Sequence, residues 1–410
     1  MAVLRFPEGF YWGSGTSAHQ VEGGNRHNDW WAFEQQGRIR DGEVAGEAAD
    51  WWHRYAADLT LAAELGQNAH KLSVEWSRIE KEPGVWDEGV IEHYRQMLSV
   101  MRNLGIAPFV VLHHFTNPLW LDATGCWENP DTPRRFAAFA RLAAERFGDL
   151  VEAWITINEP MLLAAFGYVL GYWPPERSSW AAGLRAAANL MRAHRLAYAA
   201  IKDVLPAASV GVAVNSTVFE LSSRSSFLER LLVAPADWMA NQWFLDRIRS
   251  QLDFIGLQYY SRTTVRQLFF GDPAGGPLGD DLPVSDLGWA IYPQGLHDVC
   301  RRTWHRYRLP MHVTENGIAD HADLQRKLFL HDHLRCLHEA IAGGADVRGY
   351  FHWSLVDNFE WREGFSPRFG LIEVDYATQA RTVRDSARYY ATVCRGNAIE
   401  VPEPGPPGLP

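Results

Sequence analysis

Ala153-Trp154-Ile155-Thr156-Ile157-Asn158-Glu159-Pro160 reads as a short buried strand that stops at a carboxylate and a proline. Met311-His312-Val313-Thr314-Glu315-Asn316-Gly317 repeats the plan later in the chain. Neither run alternates strictly between apolar and polar residues, as expected of parallel strands covered on both faces. Six more segments have this character: Phe10 to Ser17, Ala69 to Glu75, Pro108 to His113, Val210 to Asn215, Phe254 to Tyr259 and Gly349 to Ser354. That makes eight.

Longer stretches between them carry helical spacing. Trp52, Tyr55, Leu59 and Ala62 recur within Trp51 to Leu65, which ends at Gly66. Val90 to Leu104, Arg134 to Phe147 and Leu324 to Ile341 likewise end at Gly105, Gly148 and Gly343, where a left-handed glycine cap is expected. Strand, helix, strand, repeated eight times, predicts an α/β fold in which a parallel sheet closes into a single (β/α)8 TIM barrel. An open Rossmann-like sheet is the alternative, weakened because no Gly-x-Gly-x-x-Gly follows the first strand. The longest connections, 23–50, 160–179, 217–252, 261–288 and 355–376, all follow strand ends, so they should build a deep, partly roofed pocket. The barrel domain is expected to occupy residues 1–401, and the tail 402–410, with five prolines and two glycines, to be mobile.

The 410 residues are 47% apolar, enough for one large core, and α/β barrels run this long as one domain. Lys plus Arg total 39 against 49 Asp plus Glu, with signs interspersed, which argues against nucleic acid and anionic membranes as partners. No basic leader with an apolar stretch opens the chain and no segment has the length of a membrane span, so a soluble cytoplasmic protein is expected. The cysteines Cys126, Cys300, Cys336 and Cys394 are too spread for a disulfide framework or a zinc site. Nor do the 16 histidines suggest a metal: His113 and His114 project to opposite sides of a strand, and no His-Glu-x-x-His occurs. No cofactor is implied. The 18 tryptophans suit core packing and sugar stacking alike.

Two carboxylates at the C-terminal edges of barrel strands point to acetal cleavage. That chemistry needs a proton for the departing oxygen and a carboxylate for the oxocarbenium-like carbon, so the two acids must be held in different protonation states.

Seven stretches, two of them within the runs already quoted, carry a family resemblance: Gln20-Val-Glu-Gly, Trp76-Ser-Arg-Ile, Leu112-His-His-Phe, Thr156-Ile-Asn-Glu-Pro, Phe254-Ile-Gly-Leu-Gln-Tyr-Tyr, Thr314-Glu-Asn-Gly and Trp353-Ser-Leu-Val-Asp-Asn-Phe-Glu-Trp. Together they resemble glycoside hydrolase family 1, the β-glucosidase family, over almost the whole chain. The resemblance implies Glu159 as general acid/base and Glu315 as nucleophile of a retaining β-glycosidase, with Arg78, Tyr260 and Asn158 assisting. It implies Gln20, His114, Trp127, Asn158, Glu360 and Trp361 around the glycone, Trp353 as stacking floor, Phe369 as a further substrate-binding residue, and Trp289 toward the outer site. The implied partners are small β-glycosides or oligosaccharides; oligomeric state is left open. Because a carboxylate at Glu360 would repel a sugar phosphate, unphosphorylated substrates are expected. A transglycosylase would share every catalytic residue, whereas a sugar-binding barrel without activity would have lost one of the two carboxylates. Several positions depart from the family: Gln258 replaces a usual Asn, Cys126 a usual Gly, Met161 stands where many relatives carry an aromatic, and Thr116-Asn117 replaces Asp-Leu. The chain is also shorter than most members through 217–237 and around 271–281.

Overall fold

The computed structural model describes residues 2–221, 227–264 and 282–402, and not the side chains of 228 and 229. The shortening expected around 271–281 and the tail beyond 402 lie outside the described residues. Eight strands form the closed barrel: β1 (Tyr11–Gly15), β2 (Ala69–Ser73), β3 (Ala107–His113), β4 (Ala153–Asn158), β5 (Ser209–Asn215), β6 (Phe254–Gln258), β7 (Met311–Asn316) and β8 (Val347–Trp353). Every neighbouring pair is parallel, and β8 closes the ring on β1 from Gly349–Tyr11 to Trp353–Gly15. All eight expected strands are present to within two residues at either end. Their apolar runs are legible because both faces are covered: one packs inside the barrel, the other against helices.

Inside the barrel, Phe109, Val111, Ile155, Phe254 and Phe351 fill the floor around small residues Ala69, Ala153 and Ala213. Close packing there requires glycine at one position in particular. A Cβ on Gly13 would sit 2.5 Å from the Ala69 carbonyl and 2.7 Å from the Phe351 ring. Outside, helices Trp51–Glu64, Glu88–Asn103, Thr132–Phe147, Trp180–Val204, Gln294–Tyr307, Arg326–Ala342 and Asp385–Gly396 bury one face each against the strands. Asp87 and Ser179 cap two of them by accepting from Val90 N and Ala182 N.

The four glycine caps divide in half. Gly66 and Gly105 adopt φ 78° and 73°, the left-handed geometry expected. Gly148 and Gly343 have φ −59° and −76° and are not left-handed. At Gly148 space decides instead, since a Cβ would lie 2.5 Å from both Ala144 O and Leu205 Cδ1. The helix expected from Leu324 begins at Arg326 because Asp320 accepts from the backbone of Gln325 and Arg326, each at 2.8 Å. An antiparallel ribbon of Ala2–Arg5 with Ala398–Val401 ties the two ends of the described chain together.

Candidate active site

Glu159 follows β4 in a left-handed conformation, φ 46° and ψ 56°, with its N–H bonded to Ala213 O at 2.8 Å. A residue bearing a Cβ holds that conformation only where its surroundings impose it. The turn leads directly into the short helix Pro160–Leu163, and Pro at the first helical position needs no hydrogen-bond acceptor. The side chain is buried, with Oε1 accepting from Asn215 Nδ2 at 3.1 Å. Burial, and next the negative charge of Glu315, push its carboxyl up to about 8. That favours the protonated carboxyl.

Glu315 sits near the end of β7 in the opposite electrostatic setting. Lys71 Nζ donates to its Oε1, Gln258 Nε2 donates to the same oxygen at 2.7 Å, and the Tyr260 hydroxyl donates to Oε2 at 2.6 Å. A buried lysine and two neutral donors fix both of its oxygens in place. Asn158 completes the network, its Oδ1 accepting from Lys71 at 2.8 Å and Gln258 at 2.7 Å.

Arg78 is not the partner of Glu315 that the resemblance implies. Its guanidinium donates to Glu22 Oε2 at 3.0 Å and to the Gly23 carbonyl, and lies 4.1 Å over the Trp52 ring. Arg78 belongs to the short helix Trp76–Ile79 beyond the strand, whereas Lys71 lies on β2 itself and is fully buried. The sequence does contain a sign of this: Lys71 stands inside the run Ala69-His-Lys-Leu-Ser73, and a lysine covered on both faces requires a charged partner.

The remaining implied residues divide between the pocket and its support. Gln20 Nε2 reaches Glu360 Oε2 at 3.2 Å and also donates to Asn358 and the Phe359 carbonyl. His114 stacks between Trp353 and Trp361, with ring centroids 5.9 and 6.0 Å away. Burial holds its imidazole neutral. Trp353 packs with Phe369 and Ala319, and Tyr260 and Trp289 lean on that cluster, so the floor runs outward to Trp289. Trp127 is a correction: it is fully buried against His113 and its indole N–H donates to Asn117 at 2.9 Å, so it supports the wall from behind. Glu360 is buried beside Gln20 in the same pocket. Burial, then the charge of Glu315, push its carboxyl up to about 8, which favours the protonated form.

Two departures from the family gain a physical reading. Cys126 occupies φ 47°, a left-handed position where glycine carries no Cβ strain. Asn117 bonds Asp29, His113 and Trp127, a junction beneath the wall that a leucine could not make. Met161 is partly buried against the core. No group of three or more metal-ligating side chains occurs among the described residues, and no described helix is long and apolar enough to cross a membrane.

A closed parallel barrel with two buried carboxyls at its strand ends, one with a raised pKa and the other held by three donors, has the parts for acid-assisted displacement at an acetal carbon. The family model for glycosyl hydrolase family 1 matches residues 3–250 and 245–399, and the chain belongs to that family. It is 32% identical to β-glucosidase A of Thermotoga maritima over 98% of this chain and all of that protein. It is 33% identical to a β-galactosidase of Sulfolobus acidocaldarius over 97% of this chain and 96% of that one. The solved β-glycosidase from Pyrococcus horikoshii superposes with a TM-score of 0.89 at 37% identity, covering 98% of this chain and 97% of its own.

Proposed function

We propose that this protein is a retaining β-glycosidase that removes terminal β-D-glucosyl residues from the non-reducing ends of small glycosides, with β-galactosides and β-fucosides as further substrates. Relatives carrying both glucosidase and galactosidase names support that range. The observation that carries the reading is the opposed setting of two buried carboxyls: Glu315 held by Lys71, Gln258 and Tyr260, and Glu159 pushed up to about 8. Glu315 attacks the anomeric carbon while Glu159 protonates the departing oxygen. Forming the glycosyl ester removes the charge on Glu315, so Glu159 loses its proton more easily and activates water for the second displacement.

Gln20, Asn158, Glu360, Trp361 and Trp353 surround the glycone, and Trp289 with Phe369 contacts the leaving group. Protonated Glu360 donates as well as accepts, which suits neutral hydroxyls, while a phosphate dianion would have to be desolvated beside the nucleophile carboxylate of Glu315. The catalytic unit comprises the barrel of residues 1–401, works in the cytoplasm, and needs neither metal nor organic cofactor. Release of p-nitrophenol from β-gluco, β-galacto, β-fuco and 6-phospho-β-gluco substrates, with chelator present, tests this. Turnover of the neutral sugars in chelator is expected; equal or faster turnover of the phosphate would contradict the substrate reading.

A further inference from the structure

Lys71 on β2 and Gln258 at the end of β6 converge on the same two oxygens. Lys71 Nζ bonds Asn158 Oδ1 at 2.8 Å and Glu315 Oε1, and Gln258 Nε2 lies 2.7 Å from each. Both side chains are fully buried, so neither has a role at the surface. The arrangement leaves the two oxygens of Glu315 unequal. Oε1 receives two donors, whereas Oε2 accepts from the Tyr260 hydroxyl and, among the described residues, keeps a lone pair for a sugar carbon.

An ammonium is a compact point charge, whereas a guanidinium presents several donors in one rigid plane. With lysine at 71, a second donor to each oxygen must come from elsewhere, and the glutamine amide supplies it. A shorter asparagine at 258 would draw that nitrogen back by one methylene and leave a gap in a close-packed region. Conversely, an arginine at 71 would crowd the glutamine amide. We propose that Lys71 and Gln258 form an interdependent pair of positioning residues for Glu315, in which the glutamine is the counterpart of the lysine and each is unfavourable with the other's replacement. The glutamine at 258 is then a compensation and no loss of function. The proposal rests on the reading of Glu315 as nucleophile.

A double-mutant cycle of Lys71→Arg and Gln258→Asn tests it. The readouts are the rate of covalent trapping by a dinitrophenyl 2-deoxy-2-fluoro-β-glucoside, glucose affinity by tryptophan fluorescence, and Tm. Each single variant is expected to trap about 100-fold more slowly while still binding glucose, the scale on which one catalytic group acts. The double variant is expected to trap at least about tenfold faster than the better single variant. If one single variant does not fold, the double is compared with the other, since a merely damaging second substitution cannot speed it up. Losses that multiply in the double variant, or trapping by Gln258→Asn at the parent rate, would overturn the pairing. If the unaltered protein is not trapped at all, the reading of Glu315 fails instead.

Discussion

At the residue scale, the chemistry turns on where one proton sits. Glu159 must carry it when substrate arrives, and burial beside Glu315 pushes the carboxyl up to about 8. A donor with a raised pKa is competent below that pH and is lost above it. For an alkyl β-glucoside, whose leaving group needs protonation, kcat/KM should therefore hold to about pH 8 and then fall roughly tenfold per pH unit. Glu360, also pushed up to about 8, titrates in the same pocket, so the limb belongs to the pair. A dinitrophenyl glucoside removes the demand on Glu159 and should show a weaker or displaced limb; identical limbs for both substrates would contradict the assignment. The two glutamates were legible in the sequence because each ends an apolar run that has no other reason to stop at a carboxylate. For Lys71 the apolar run signals that a charged partner is needed but not which one, because Glu315 lies 244 positions away on another strand. Arg78 was misplaced for the converse reason: a cation one helical turn beyond a strand end points to whichever acid the loops bring, here Glu22.

At the scale of elements, the strands were readable and the loops that finish the site were not. A strand covered on both faces must be apolar whatever its partners, whereas a loop is shaped by contacts distant in sequence. The connection after β8 shows this. Asp357, fully buried, accepts from Arg384 through both oxygens at 2.8 and 2.9 Å and from Gly370 N at 2.9 Å. That clamp closes the loop carrying Glu360, Trp361 and Phe369, yet nothing in the local sequence marks Asp357 as its anchor. Asp357→Asn keeps the shape and removes the charge opposite a buried guanidinium. It should cost about 3–5 kcal/mol of stability, the range for breaking a buried ion pair. KM should rise more than kcat falls, because the glycone wall moves while Glu159 and Glu315 remain on other strands. Denaturant unfolding and steady-state kinetics would check both; a loss under about 1 kcal/mol with unchanged KM would contradict the clamp.

At the scale of the whole molecule, the barrel brings β4 and β7 across one mouth, and eight apolar runs sufficed to foresee that closure. Pairing of the ends was not foreseen, because Ala2–Arg5 and Ala398–Val401 are four residues each and carry no strong pattern of their own. Two carboxyls placed by different strands yield one stereochemical result, and that result exposes the central claim. The measurement is turnover by Glu159→Ala of alkyl and dinitrophenyl β-glucosides, with and without azide, followed by NMR of the product's anomeric proton. Glycosylation should fail for the alkyl glucoside and persist for the dinitrophenyl one, which leaves without a proton. Azide entering the space vacated by the carboxylate should then speed turnover and give the β-glycosyl azide. Equal slowing of both substrates, no response to azide, or an α-product would contradict Glu159 as the acid/base of a retaining enzyme.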